Sequence, residues 1–289
     1  MWRSDRELQS MNRFLSHIAA CHTGRIPGDR LRLRIGEEPV GLLRPALAAA
    51  LAALSADVTI GADGVTLRAE AAGDLHALAQ RLAEAGHFRF RNEAFDVRGE
   101  ISGDVLARID RGALPAFGIR AEGVHVNGLV RRGADWHVWV ARRAANKLLD
   151  AGKLDHVVAG GVASGYSVAE TLVKEAGEEA AIPPELAAKA VPVGVVAYAM
   201  ERVEGLRRDR LFCYDLLLPA DFQPQPTDGE VEVFELWPIE KAFQTVAETD
   251  DFKFNVALVM IDLFLRLGLI DPQTAEGEAI RRALRQGVP

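Results

Sequence analysis

Apolar positions along the chain change their period several times, and each change marks an element. Leu8, Met11, Leu15 and Ile18 recur at helical spacing among polar neighbours, which predicts an amphipathic first helix rather than a signal peptide. RLRLRI and VTLRAEA predict strands, whereas LLRPALAAALAAL and LHALAQRLAEAG carry helical periodicity, the second closing at Gly86. From Gly118 the texture changes. GVHVNGLVRR and WHVWVARRA, separated by Gly133-Ala134-Asp135, predict a β-hairpin, and VPVGVVAYAMERV with RLFCYDLLLP predicts a second that turns near Gly205. VEVFELWPI adds a strand and NVALVMIDLFLRLG a long, mostly buried helix. The expectation is a small α+β N-terminal domain over residues 1–117, followed by a mixed sheet covered by helices over residues 118–289. A substrate lid and a dimer surface are both open roles for the first domain.

Between the two hairpins lies GGVASGYSVAETLVKEAGEEAAI, residues 160–182. Its glycines suggest a phosphate loop, but the position that would need Lys holds Tyr166. The helix that follows is better defined. Ser167 and Glu170 form an S-x-x-E capping box, and Pro183-Pro184 bars continuation. Ala169, Leu172, Val173, Ala176 and Ala180 fall on one arc, the face expected to pack on the sheet. Glu175, Glu178 and Glu179 share a neighbouring arc, so three carboxylates should converge on one patch. Like charges at this spacing repel by a few tenths of a kcal/mol per pair in water. A divalent cation would reverse the sign of the patch and attract an anionic diphosphate.

Composition narrows the setting. Of 289 residues, 49% are apolar and 26% charged, a globular balance, and the net charge of −7 argues against nucleic-acid binding. PALAAALAAL is too short to span a bilayer, and Asp262 and Arg266 interrupt the later apolar run, so no membrane partner is expected. Two cysteines, Cys21 and Cys213, fit a reducing, cytoplasmic setting. The seven histidines show no zinc-ligand spacing.

The stretch resembles the signature of the Nudix hydrolase superfamily: Gly, five residues, Glu, seven residues, Arg-Glu, an apolar residue, any residue, Glu-Glu, any residue, Gly, and an apolar residue. Registered on Lys174-Glu175 and Glu178-Glu179, it opens at Gly160 and closes at Ile182. Tyr166 stands for its first Glu, Lys174 for Arg and Ala181 for the last Gly. KLDHVVAGGVASGYSVAETLVKEAGEEAAIP, LFCYDLLLPADFQPQPTDGEVEVFEL and FKFNVALVMIDLFLR further resemble the thiamine-pyrophosphokinase-like Nudix group, in which a distinct N-terminal domain precedes the hydrolase domain.

That resemblance implies an α/β/α sandwich with a mixed sheet and a Mg²⁺- or Mn²⁺-dependent diphosphatase. The implied substrates are thiamine diphosphate and its oxidised oxo- and oxythiamine analogues, and a homodimer is a further expectation. It implies metal ligation by Glu175, Glu178, Glu179 and the Gly160 carbonyl, with Gly160 and Gly161 admitting the ion close to the backbone. Catalytic roles are expected for Glu175 and Glu178. Glu230, Glu232 and Glu235 are candidates for the base, and period-two alternation places Glu230 and Glu232 on one strand face, with Glu232 preferred. Arg142, Arg143, Lys147, Lys174 and Lys253 are candidate phosphate contacts. A Nudix module that senses a phosphorylated metabolite without turnover, and a hydrolase of nucleoside diphosphate derivatives, stand as alternatives.

Overall fold

A computed structural model describes residues 5–146 and 150–286. After α1 (Asp5–Cys21), the N-terminal unit is built from β1 (Leu31–Ile35), β2 (Glu38–Leu43), α2 (Pro45–Leu54), β3 (Val58–Gly61), β4 (Gly64–Leu67) and α3 (Leu75–Glu84). The strands form a four-stranded sheet in the order β2-β1-β4-β3, with β1 and β4 parallel. A separate hairpin, β5 (Ala94–Arg98) and β6 (Val105–Asp110), and the short α4 (Leu114–Phe117) complete the unit. Leu33, Leu51, Leu67, Leu75, Ile109 and Phe117 fill its core and are almost wholly buried. α1 does not join that core: Phe14, Ile18 and Cys21 pack among the last helices of the chain.

The second unit begins with β7 (Arg120–Arg132) and β8 (Asp135–Arg143), then β9 (Leu154–Asp155), β10 (Val158–Gly161), α5 (Val168–Ala180) and α6 (Pro184–Ala187). It continues through β11 (Val191–Arg202), β12 (Gly205–Leu217), β13 (Val231–Pro238), α7 (Ile239–Glu248), α8 (Phe254–Arg266) and α9 (Ala275–Leu284). The main sheet runs β11-β12-β7-β8-β13, with β10 on β7 and β9 on β8. β7 pairs with β12 in parallel and with β8 and β10 antiparallel, so the sheet is mixed.

Strand alternation decides which face each residue serves. Val124, Val126 and Val130 of β7, with Val158 and Leu216, pack under Leu172, Ala176 and Ala180 of α5. On the opposite face, Val138 and Val140 of β8 and Tyr198 of β11 pack against α1, α7, α8 and α9. Every residue from Val256 to Ile261 is buried, because α8 is enclosed by the sheet and its neighbouring helices. The result is the expected α/β/α sandwich with a mixed sheet, preceded by an α+β extension. No described helix is long and apolar enough to cross a membrane.

One local expectation needs correction. Ala169, placed on the packed face from its angle, is exposed, while Thr171 and Glu179 are buried. α5 is rolled so that the glutamate arc, not the Ala169 edge, turns toward β10.

Candidate active site

The helix that carries the glutamates is fixed at both ends. The Ser167 hydroxyl accepts from the Glu170 amide at 3.2 Å, and the Glu170 carboxylate accepts from the Ser167 amide at 2.8 Å. This reciprocal box satisfies two amides that would otherwise lack partners. At the C-terminal end Ala181 adopts φ +52°, ψ +31°, the left-handed conformation that glycine accepts at least cost. The superfamily pattern has glycine there.

Glu175 lies against β10, and Gly160 is what admits it. A Cβ on Gly160 would stand 2.4 Å from the Glu175 Cγ and 2.5 Å from its Cδ. Gly161 serves a different neighbour: a Cβ there would meet the Phe95 ring at 2.7 Å. The two glycines therefore make room for side chains from α5 and from the N-terminal unit. Glu179 is buried and accepts a 2.9 Å hydrogen bond from the Ala159 amide. Glu178 is more than half exposed and is paired with Lys174 at 2.5 Å, which also reaches Glu175 at 3.2 Å.

Burial raises the Glu175 carboxyl pKa, against the pull of Lys174 and with the help of Glu178 and Glu230. It raises that of Glu179 well above the ordinary carboxylate range, opposed by the Ala159 amide and reinforced by Asp155, Glu175 and Glu230. These carboxylates feel one another across the end of β10. Lys174 lies between Glu175 and Glu178, and Glu179 is tied to the strand, so the trio does not form one close ligand cluster among the described residues.

In front of Ala159, Gly160 and Gly161 opens a cavity of about 680 Å³. One wall belongs to the second unit, with Glu122, His125, Arg143, Arg207, Glu230, Lys253 and Asn255. The other belongs to the first unit, with Phe88, Arg89, Arg91, Phe95 and Arg111. The units are joined at the signature loop itself: the Ser164 amide donates to the Ala94 carbonyl at 2.8 Å, and the Ser164 hydroxyl donates to Asp96 at 2.6 Å.

The expected site residues divide between cavity and surroundings. Gly160, Arg143 and Lys253 line it. Arg143 and Lys253 also hold the buried Asp155 carboxylate, at 2.8 Å and 3.5 Å. Arg142 does not line the cavity; its guanidinium donates to the Gly152 carbonyl at 3.2 Å. Lys147 lies outside the described residues. Of the strand glutamates, Glu230 lines the cavity, whereas Glu232 is exposed on β13 and outside the lining. Glu235 accepts from the Trp237 indole at 2.7 Å. The Glu230 loop is tied to α5, since Thr227 Oγ1 donates to the Glu178 carbonyl and the Gln225 amide to that of Ala180. Asp228-Gly229 makes the turn that enters β13, with the Glu230 amide donating to Asp228 at 2.8 Å.

A buried cluster beside the cavity escaped the histidine spacing. His125 Nδ1 and His156 Nδ1 lie 2.9 Å apart, and among the described residues these two and Asp155 form the one close set of potential ligand atoms. Burial lowers the His125 pKa well below its usual value and that of His156 to about 4. Burial alone would raise the Asp155 pKa, but Lys253, the imidazoles and Arg143 outweigh it and hold the carboxyl ionised. Neutral imidazoles are the metal-ligating form, but here the two Nδ1 atoms are engaged with each other and Asp155 is already held by Arg143 and Lys253, so the set is committed to its own hydrogen bonds and ion pairs. Glu175, Glu178, Glu179 and Glu230 are by type the hard oxygen donors that suit a divalent ion, and their neighbouring charges help raise the pKa values of Glu175 and Glu179, although their oxygens do not form a close set among the described residues. The Asp155-His156 pair, just ahead of β10, was the sequence signal for the cluster; only the register of β7 supplies His125.

No family model matches the sequence. The chain is 43% identical over 197 residues to "Nudix hydrolase 24, chloroplastic" of Arabidopsis thaliana, covering 68% of this chain and 54% of that protein. It is 42% identical over 185 residues to "Nudix hydrolase 20, chloroplastic" of the same plant, covering 64% and 50%. The chain spans about half the length of the curated relatives it matches. Among solved structures, a Deinococcus radiodurans protein aligns over 67% of this chain and 100% of its own, at 22% identity and a TM-score of 0.45.

Proposed function

We propose that the chain is a Nudix hydrolase, as its likeness to the two plant proteins supports, and that it cleaves the phosphoanhydride bond of an organic diphosphate with the help of Mg²⁺ or Mn²⁺. The observation that carries this reading is the placement of Glu175 and Glu179 directly behind the backbone at Ala159 and Gly160, which floors the cavity. Glu175, Glu178 and Glu179 are the residues to hold the ion, with the Gly160 carbonyl beside them. When bound, the metal supplies Lewis-acid polarisation of a phosphoryl oxygen and acidifies a coordinated water.

The chain's own groups do the rest. Glu230 stands in the cavity close enough to raise the pKa values of Glu175 and Glu179, so we give it the role of base that the sequence offered to Glu232. It takes a proton from the attacking water as the new P–O bond forms. The bridging P–O bond breaks, leaving a monophosphate and inorganic phosphate. Most of the rate comes from positioning and from charge stabilisation in a partly enclosed site. Burial makes Glu179 hold its proton more tightly than an ordinary carboxyl, so ligation through it would require that proton to leave and would couple metal uptake to pH.

The finer reading, carried by the sequence resemblance alone, is that the substrate is thiamine diphosphate or its oxo or oxy analogue. The test is phosphate release from a panel of organic diphosphates in Mg²⁺ and Mn²⁺. Release from the thiamine compounds supports the finer reading. Activity confined to nucleoside diphosphate derivatives removes that reading and keeps the hydrolase. Inertness toward every diphosphate with either metal removes both.

A further inference from the structure

The N-terminal unit supplies half of the cavity wall, and that half is unusual in its charge. The chain as a whole carries −7, yet the cavity is lined by seven arginines and lysines against five acids. Most of the cations on the second unit are already engaged: Arg207 with Asp209, Arg208 with Glu100, and Arg143 and Lys253 with Asp155. Arg111 is paired with Glu93 at 2.8 Å. Arg89 and Arg91 differ. Both are exposed to the cavity, and neither side chain has a hydrogen-bond or ion-pair partner among the described residues.

The loop that presents them is held by buried machinery. Asp110 is fully buried, and its carboxylate accepts from the amides of Arg91 at 2.8 Å, Glu93 at 3.1 Å and Gly112 at 2.8 Å. Gly112 fits closely under the same loop, since a Cβ there would lie 1.9 Å from the Arg89 carbonyl oxygen. The Arg111 amide closes the clasp on the Glu93 carbonyl at 2.7 Å. A buried carboxylate that accepts two amides of this loop, and a third from its own turn at Gly112, fixes where the loop's arginines stand. Two guanidinium groups so placed, with their donors unclaimed, match the oxygens of a phosphate.

We propose that Arg89 and Arg91 form a phosphate clamp through which the N-terminal unit recognises the terminal phosphoryl group of a diphosphate monoester. This rests on the hydrolase reading for the opposite wall, which Glu175 and Glu179 back from behind β10 without lining it. A terminal phosphoryl group carries more charge and more free oxygens than one esterified on both sides. The cationic excess of the lining therefore selects substrates with a free phosphate end and disfavours diphosphates capped at both ends. A cationic organic end would be repelled from this wall, which orients the substrate phosphate-first.

The test is calorimetric titration of the full chain, in Mg²⁺, with methylenediphosphonate, whose bridging carbon resists hydrolysis. Wild type should bind it; Arg89→Ala and Arg91→Ala should each weaken binding about tenfold and the double variant further, with Arg89→Lys and Arg91→Lys partly restoring it. Arg281→Ala on α9 makes the same charge change away from the cavity and should bind as wild type does. The same phosphonate esterified at both ends should bind wild type and the double variant alike. Equal binding of the free phosphonate by wild type and the double variant, or no binding by wild type, overturns the clamp. Equal losses for the free and the diesterified probe overturn its assignment to the terminal phosphate. Since the probe is never cleaved, a chain that binds it through these arginines but hydrolyses nothing defeats the proposed activity and leaves the clamp standing.

Discussion

Gly160→Ala separates catalysis from stability without removing any carboxylate. The new Cβ would stand 2.4 Å from the Glu175 Cγ, 2.5 Å from its Cδ and 2.9 Å from its Oε2. Carbon atoms rest at about 3.5–4.0 Å from one another, so the carboxyl must retreat by roughly 1 Å or more. The side chain can make that move, because Glu175 keeps about a fifth of its surface exposed and its carboxylate is paired with the flexible Lys174. The expected loss of stability is at the low end of overpacking, about 1 kcal/mol, or roughly 2–4 °C in melting temperature. The cost in turnover should be far larger, on the order of a hundredfold in kcat, as for other displacements of about 1 Å in a reacting group. Gly161→Ala is the control with the opposite split. Its Cβ would meet the Phe95 ring, which is buried in the first unit's core, at 2.7 Å, so stability should fall more and turnover less. The assay is steady-state phosphate release with a thermal melt on each variant. A Gly160→Ala protein with kcat within about threefold of wild type would show that Glu175 does not act where β10 holds it.

Ala181→Gly should raise stability by about 0.5–1 kcal/mol, because the left-handed C-cap strains alanine but not glycine; denaturant unfolding measures it, and a loss would show that the cap is not strained. Glu179→Gln should stabilise the metal-free protein at neutral pH while abolishing turnover. The wild-type carboxyl has a raised folded pKa, so its contribution is whole below the unfolded value of about 4.3 and is lost as pH rises toward the folded one. Melts in chelator across that range should show wild type losing ground to the variant, and parallel curves would mean the carboxylate is already ionised at no cost. Arg143→Ala should cost about 3 kcal/mol by weakening the hold on buried Asp155. Asp155 has a depressed folded pKa, so that difference is full above the unfolded value of about 3.9 and shrinks as pH falls below it, which urea titrations at pH 7 and pH 3 would test.

What could be read from the residues, and what could not, follows the range of the interactions involved. The capping box, the hairpin turns at Gly133 and Gly205 and the buried α8 depend on neighbours a few positions apart, and each stood in the pattern. The hairpin of β5 and β6 did not, because AFDVR and VLARID are short and polar on one side. Their strand character comes from pairing with each other and from the core around Phe95 and Ile109. Helical angles placed the glutamates on one arc but could not say how far α5 is rolled on the sheet. That roll buries Glu179 and leaves Glu178 in solvent. Period-two alternation likewise could not separate Glu230 from Glu232, because β13 begins only at Val231 and the turn at Asp228-Gly229 sets the direction of Glu230 independently of the strand.

The longest-range feature is the most consequential for chemistry. Arg89 and Arg91 share no motif with the glutamates some eighty to ninety positions later, and on the page they are two basic residues in a polar loop. Their meaning depends on two remote facts: Asp110, which gathers that loop by its amides, and Ser164 and Gly161, which seat the hairpin against the signature loop. Neither unit alone encloses the cavity. The signature's carboxylates come from one helix packed behind one strand, but the wall facing that strand belongs to a different core. Substitutions in the first unit should therefore change which diphosphate is accepted, whereas substitutions in α5 should change whether any diphosphate is cleaved.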